Sequence, residues 1–476
     1  MSERQRGVRY ENVGEGYLDQ RRLKKGAAGW VLLAGLGVAY VISGDFAGWN
    51  FGLAEGGWGG LLIATILMGI MYTAMVFALA EMSSALPTAG GGYTFARRAL
   101  GPWGGFLTGT AILIEYAIAP AAIVVFIGGY VESLDIGIST GWPVYLAFFA
   151  LFVGIHLVGV GEALKVMFAI TIIAVIALAV FVIGMIPQFD ASNLTNIPPE
   201  AGGSKFLPFG ISGVLAAFVY GIWFFLAIEG VPLAAEETRD PARDMPRGII
   251  AAMLVLLLFA ALILTLAPGA GGAREISESD NPLPLAADNA GSGAISDFVN
   301  YAGLAGLIAS FFSIIFAYSR QLFALSRAGY LPRALSVTTK RRVPAIALIL
   351  PGVIGFLLAA ITEDGARMIQ VAVFGATVSY VLMMLSHIVL RRREPGLERP
   401  YRTPGGVATS GVALALAVAA VVAVFFVDET AALITLGVYL LFVLYFALYS
   451  QHRLVAQAPE EEFDAVRRAE AELVGS

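Results

Sequence analysis

Three carboxylates stand inside stretches that are otherwise apolar. Asp45 follows Ser43 and Gly44 in Ala39-Tyr40-Val41-Ile42-Ser43-Gly44-Asp45-Phe46-Ala47-Gly48-Trp49. Glu115 lies in Leu113-Ile114-Glu115-Tyr116, and Glu229 lies in Phe225-Leu226-Ala227-Ile228-Glu229-Gly230-Val231-Pro232. An unpaired acid at mid-membrane costs about 2.5–3.5 kcal/mol on insertion scales, so three of them ask for a reason. No Lys or Arg lies in these stretches. An acidic, water-poor cavity repels a substrate carboxylate and attracts an ammonium group. Aromatic side chains close to the same positions, Phe46, Trp49, Tyr116, Trp223, Phe224 and Phe225, supply faces for cation–π contact. The candidate substrate-binding set is therefore Ser43, Gly44, Asp45, Phe46, Glu115, Tyr116, Trp223, Phe225, Glu229 and Gly230.

Each residue also has a plainer reading. Asp45 pairs with Ser43 or with backbone N–H groups and only holds a loop; Glu229 is a structural hydrogen-bond hub or a proton site; Glu115 faces a water path. The aromatics are core or lipid-facing residues, which membrane spans contain in number. Other chemistries are poorly represented. Cysteine is absent and the only histidines are His156, His387 and His452, which leaves no thiolate or His-based metal centre. No His-Glu-x-x-His or Gly-x-Ser-x-Gly pattern occurs, so an intramembrane enzyme has no support, and no cofactor is expected.

The elements that must position these residues are read from composition. Of 476 residues, 58% are apolar and 14% charged, and mean hydropathy is +0.79. The 65 charged residues compare with roughly 120 in a soluble chain of this length. These values exclude a soluble globular enzyme, a disordered chain and a nucleic-acid binder, and indicate an all-α polytopic membrane protein. Twelve apolar runs are long enough to span a bilayer: 28–53, 59–81, 102–131, 142–158, 163–186, 208–234, 248–269, 295–326, 344–361, 366–390, 406–427 and 431–449. With the N-terminus inside, all basic residues except Lys205, Arg274 and Arg367 fall on the inner side, including Arg21, Arg22, Lys24 and Lys25 before span one. That bias predicts twelve spans with both termini cytoplasmic in a bacterial inner membrane, and residues 1–27 carry no signal peptide. Glu81, Lys165, Glu236 and Glu237 fall at cytoplasmic ends and are expected to order loops, His156 and His387 to be interfacial, and the tail from Ala458 to be solvated.

Two spans look interrupted. Ser43-Gly44-Asp45 sits in the middle of span one, and Pro232 removes a donor and disfavours helix at Val231 in span six. If spans 1–5 and 6–10 are inverted repeats, these breaks occupy matching positions. Paired breaks are the best sequence pointer to a transporter binding site. The repeats cover 28–186 and 208–390, spans eleven and twelve (406–449) are peripheral, and 450–476 is a cytoplasmic tail.

At these residues the chain resembles the amino acid–polyamine–organocation superfamily of secondary transporters. Ser43-Gly44-Asp45 stands where that superfamily has a Gly-Ser-Gly-type unwound stretch. Ala80-Glu81 through Pro87 to Gly90-Gly91-Gly92-Tyr93, Ala234-Ala235-Glu236-Glu237-Thr238-Arg239-Asp240-Pro241, Ser319-Arg320 through Gly329-Tyr330-Leu331-Pro332, and Arg399-Pro400-Tyr401-Arg402-Thr403-Pro404-Gly405 are further family marks. Residues 39–53 and 229–237 are most similar to bacterial ethanolamine permeases. The resemblance implies ten helices in two inverted five-helix repeats plus two peripheral helices, alternating access around a central site, and a gate aromatic at Trp223. The expected function is import of a small protonated amine, most simply ethanolamine; the alternative is a proton-coupled amino-acid permease with Asp45 as proton site. Some proton-coupled relatives carry a Lys in span five, where this chain has Ala174. Ser310 and Ser313 offer oxygens for a coupling sodium ion, although such hydroxyls more often bond to their own backbone.

Overall fold

The computed structural model describes residues 4–5, 8–11, 13, 16–21, 28–88, 90–158, 160–456, 458–459 and 461, with backbone only at 4–5 and 160–165. Arg22, Lys24 and Lys25, the side chain of Lys165, and the tail beyond 461 lie outside these residues. Twelve principal helices follow the apolar runs: α1 Trp30–Val41, α2 Phe51–Ala85, α3 Gly92–Glu132, α4 Trp142–Val158, α5 Val160–Met185, α6 Gly210–Trp223, α7 Pro241–Gly271, α8 Gly293–Arg327, α9 Ala345–Thr362, α10 Gly365–Arg393, α11 Val407–Val427 and α12 Glu429–Leu448. Local chemistry sets several starts. Pro241 opens α7, and the side chains of Asp364 and Asp428 accept the Arg367 and Ala431 amides that begin α10 and α12. Two positive-φ glycines kink long helices: Gly57 (φ 66°) separates a short stub, 51–56, from the rest of α2, and Gly101 (φ 86°) does the same in α3. Among the described residues ten helices are long and apolar enough to cross a membrane, and Trp30–Val41 and Trp142–Val158 are shorter apolar helices.

Helix packing follows the expected repeat. α1 lies against α7 as α2 lies against α6, and α3 lies against α10 as α5 lies against α8. Exchanging each helix of the first five with its counterpart five later converts one member of each pair into the other. α11 and α12 are peripheral: Val418, Val422, Phe426, Leu433, Ile434, Leu441 and Leu444 turn large apolar side chains outward, as lipid-facing helices do. α3, by contrast, is almost wholly enclosed.

Both breaks are present, at slightly different positions from those expected. In span one α1 stops at Val41, a single helical turn runs over Ser43–Phe46, Ala47 is extended, and Gly48 takes φ 94°. In span six α6 ends at Trp223 and the chain turns over 224–227 before a 3-10 helix, Ile228–Glu237. The pivot is Ala227 in the left-handed region (φ 78°), one turn before Pro232. Pro232 is accommodated inside the 3-10 stretch, where its missing N–H does not end the segment.

Three expectations are corrected. The tail is not wholly solvated: β3, Leu454–Val455, pairs in parallel with β2, Val8–Glu11, which pairs antiparallel with β1, Arg4–Gln5. This small sheet puts both termini on one face of the bundle, called here the termini face. Glu461 is buried there, accepting from Arg97 Nε (2.8 Å), Tyr10 (3.0 Å) and Tyr330 (2.9 Å). His156 and His387 are buried between helices rather than interfacial. His156 meets the Phe312 carbonyl at 2.9 Å, and His387 meets Ser410 at 2.7 Å.

Candidate substrate site

The two breaks meet each other. A side chain at Gly44 would run into the carbonyl oxygen of Trp223, and one at Gly48 would lie 2.5 Å from Trp223 Nε1. Only glycine permits this approach, which explains both residues physically. The carbonyls freed by the break in span one are taken up by neighbouring helices. Trp223 Nε1 donates to Ala47 O (2.9 Å), the Tyr130 hydroxyl to Phe46 O (3.0 Å) and the Ser310 hydroxyl to Tyr40 O (2.7 Å), while Ser43 and Ser310 share a 2.8 Å contact. Non-helical backbone at membrane depth is tolerated only with such partners. On the far side, Asn50 accepts from the Gly48 amide (3.1 Å) and donates to the carbonyls of Ile276 (2.8 Å) and Ser279 (2.9 Å), anchoring the break to the loop after α7.

The three acids differ in their surroundings: Glu115 and Glu229 lie against each other, and Asp45 lies on the helical turn of the broken span one. Asp45 is wholly buried, and neither carboxylate oxygen has a hydrogen-bond partner. Its expected pairing with Ser43 is not observed, because Ser43 is taken by Ser310. Glu229, on the 3-10 segment, accepts from the hydroxyls of Tyr116 (2.9 Å) and Tyr380 (3.2 Å), and Tyr380 in turn contacts Tyr72 at 2.8 Å. Glu115, on α3, is wholly buried, and its carboxyl lies against that of Glu229. No Lys or Arg bonds to any of the three among the described residues.

The remaining expected residues divide. Gly230 belongs to the cluster: a Cβ there would lie 3.0 Å from the Tyr116 hydroxyl and 3.2 Å from the Tyr40 ring. Trp49 stacks on Phe224 with ring centroids 5.5 Å apart, and Trp223 meets Phe126 edge-on at 6.3 Å. Phe46 packs against Gly303 and Gly306 of α8. Phe225 packs on Tyr72 and lines a crevice along α2, α7 and α11. Ser313 donates to Ala309 O within its own helix (2.6 Å), the plainer of its two readings. The sequence reading passed over Tyr40, Tyr72, Tyr130, Tyr380 and Asn50. Tyrosines in apolar runs carry no local mark of what their hydroxyls reach, although the position of Asn50, five residues after Asp45, was a usable signal.

What these carboxylates offer chemically is acceptors with no cationic partner among the described residues. An ammonium group supplies three N–H donors and a positive charge to such a place. Comparison with known proteins agrees with a transporter. Residues 31–463 match the family model described as amino acid permease. The branched-chain amino acid permease of Bacillus subtilis is 26% identical over 377 residues, covering 75% of this chain and 78% of that protein. The methylthioribose transporter of the same organism is 26% identical over 386 residues (77% and 79%), and the D-serine/D-alanine/glycine transporter of Escherichia coli K12 is 28% identical over 361 residues (71% and 74%). With more than four-fifths of its length matched by that family model, this chain belongs to the amino acid permease family of membrane transporters within the amino acid–polyamine–organocation superfamily.

Proposed function

We propose that the chain imports a small protonated amine, most simply ethanolamine, with Asp45 as the principal ammonium acceptor. The observation that carries this reading is the buried Asp45 carboxylate, both of whose oxygens lack a partner. A buried charge is stable only when paired, so a cation is the missing partner. Glu229 holds its orientation through Tyr116 and Tyr380, and Glu115 completes the negative field beside it. Two adjacent carboxyls in a water-poor site need a cation between them: the substrate ammonium when it is present, a coupling proton when it has left. The termini face is the cytoplasmic one in this reading, as the distribution of Lys and Arg requires, and the membrane is the bacterial inner membrane. Gly44, Gly48 and Ala227 are the pivots about which the broken segments move in alternating access.

Uptake of labelled ethanolamine into proteoliposomes tests this. Saturable uptake that Asp45→Asn abolishes supports it; uptake by Asp45→Asn equal to that of the unaltered protein sinks the ion-pair mechanism. A second reading, an amino-acid permease with Asp45 carrying the coupling proton, is favoured by two of the relatives, a branched-chain amino acid permease and a D-serine/D-alanine/glycine transporter. Competition by glycine, D-alanine or valine without competition by ethanolamine selects it.

A further inference from the structure

Between the acid cluster and the termini face lies a charged pair with no part in substrate contact. Glu237 ends the 3-10 segment that begins just before Glu229, and Arg320 lies ten residues beyond Ser310 on α8. Arg320 Nη2 meets Glu237 Oε1 at 2.9 Å, and Arg320 Nε meets the same oxygen at 3.2 Å. Both side chains are almost fully enclosed, and the Arg320 guanidinium sits 4.3 Å from the centroid of the Phe316 ring. A second pair lies about two turns further along α8, with Glu236 meeting Arg327 at 3.0 Å. The same segment is stitched to the start of α1, where the Ala28 amide donates to Glu237 O and the Arg239 amide to Ala28 O.

Tyr40 lies on the path between this pair and the acids. Its ring packs beside Gly230, and its buried hydroxyl has no hydrogen-bond partner. Its residue is tied to both neighbours of the site: the Tyr40 carbonyl accepts from Ser310 (2.7 Å), ten residues before Arg320 on α8, and its ring faces Gly230 beside Glu229. Moreover, α8 fastens the broken span one through Ser310 to Tyr40 O, while its lower half fastens broken span six through Arg320 to Glu237. One rigid helix thus clamps both mobile segments, with its second clamp about 15 Å along the axis from the first.

We propose that Arg320–Glu237 is the gate on the termini face: the ion pair holds the 3-10 segment against α8 while the substrate is enclosed, and its opening exposes Tyr40 and then the acid cluster to that side. The proposal rests on the reading that the two breaks enclose the substrate, but not on which substrate it is. Because Arg320 and Glu237 satisfy each other when closed, neither competes for the substrate ammonium; when the pair parts, Glu237 becomes an acceptor on the outward path.

The chain has no cysteine, so a single Cys introduced at Tyr40 reports access directly. Tyr40→Cys is labelled with a membrane-impermeant maleimide applied from the termini face of reconstituted protein. Replacing both partners together (Arg320→Gln with Glu237→Gln) leaves no orphaned buried charge, so this variant keeps its fold where a single replacement is expected to lose it. The gate reading expects labelling about tenfold faster in the double variant, and a return toward the slow rate in the exchanged pair Arg320→Glu with Glu237→Arg. Labelling no faster in the double variant overturns it. Faster labelling accompanied by a thermal unfolding temperature well below that of Tyr40→Cys alone also overturns it, since that marks general loosening. Transport by Asp45→Asn is measured separately: unimpaired transport there sinks the substrate site and leaves the labelling result standing.

Discussion

Asp45 on the broken span one, Glu115 and Glu229 beside Tyr116 and Tyr380, and Glu81, Glu237 and Glu461 toward the termini face are all buried. Their partners differ completely. Glu81 is held by Arg391 Nε (2.8 Å), Arg399 Nε (2.9 Å) and the Thr403 amide (2.7 Å); Glu237 is held by Arg320, and Glu461 by Arg97 and two tyrosines. Of the central three, Glu229 has tyrosine hydroxyls, Glu115 has the neighbouring Glu229 carboxyl, and Asp45 has no hydrogen-bond partner. Acids with guanidinium partners hold the bundle together on one face. In the function proposed above, acids without a cationic partner receive the substrate's. Burial alone does not separate a structural acid from a binding acid here; the identity of the partner does.

That contrast is open to direct attack. The largest effect is expected at Asp45. Asp45→Asn should weaken amine binding by about thirtyfold or more, the consequence of losing about 2–5 kcal/mol on removing one partner of a buried charge pair, while leaving unliganded thermal stability unchanged or raised. Isothermal titration and a thermal unfolding curve read the two halves. A fall in stability with intact binding would place Asp45 in the structural group.

Glu461→Ala should behave in the opposite way. It removes the carboxylate that neutralises the buried Arg97, a change that costs about 3–5 kcal/mol, so unfolding temperature drops sharply while substrate affinity in the remaining folded protein is unaltered. Replacing both residues together, Arg97→Met with Glu461→Leu, should restore most of the loss. A stability unchanged in Glu461→Ala would show that the tail contact does not brace the bundle.

Smaller effects test the support around the site. Tyr380→Phe removes one donor to Glu229 and ends the Tyr72–Tyr380–Glu229 chain. Loss of one hydrogen bond to a charged group is worth about 1.5–3 kcal/mol, so a roughly tenfold rise in the half-saturating amine concentration is expected with the maximal uptake rate retained. A collapse of maximal rate at unchanged half-saturation would instead mark Tyr380 as part of the moving machinery.

The smallest effect lies outside the membrane spans. Burial, then the nearby carboxylates of Asp364 and Glu132, push Asp280 up to about 6. An acid whose folded value is raised binds its proton more tightly folded than unfolded. Its contribution is present at acidic pH and is lost as pH rises through about 6. Asp280→Asn should therefore flatten this part of the stability profile between pH 4 and pH 6.5 and raise the unfolding temperature at pH 7.5 by about 1–2 °C. An unchanged profile would remove Asp280 from the set of strained acids.

Much of the architecture was legible along the chain. Twelve apolar runs became twelve principal helices, and the interruption of span one falls beside the polar triplet rather than on it: Ser43–Phe46 keeps a helical turn and the chain turns over 47–50. The break in span six shifted one turn, from the Glu229–Pro232 stretch to Ala227. Proline is the visible breaker, but a 3-10 turn absorbs it, and the close approach of Gly44 to the Trp223 carbonyl acts on the chain just before. Phe225 was grouped with the site by its neighbours in sequence, and the turn over 224–227 directs it to α2 instead.

The sequence by itself determined the class, the spans, which two spans are interrupted and the three acids that lie deep. All follow from hydropathy, glycine and proline, which act over a few neighbouring positions. Only the tertiary structure decided which buried acid owns a cation. Arg97 and Glu461 stand 364 positions apart, Arg391 and Glu81 310, and Arg320 and Glu237 83. Ion pairing acts across a few ångströms of space, and no local pattern records which distant arginine the folded chain brings within that reach.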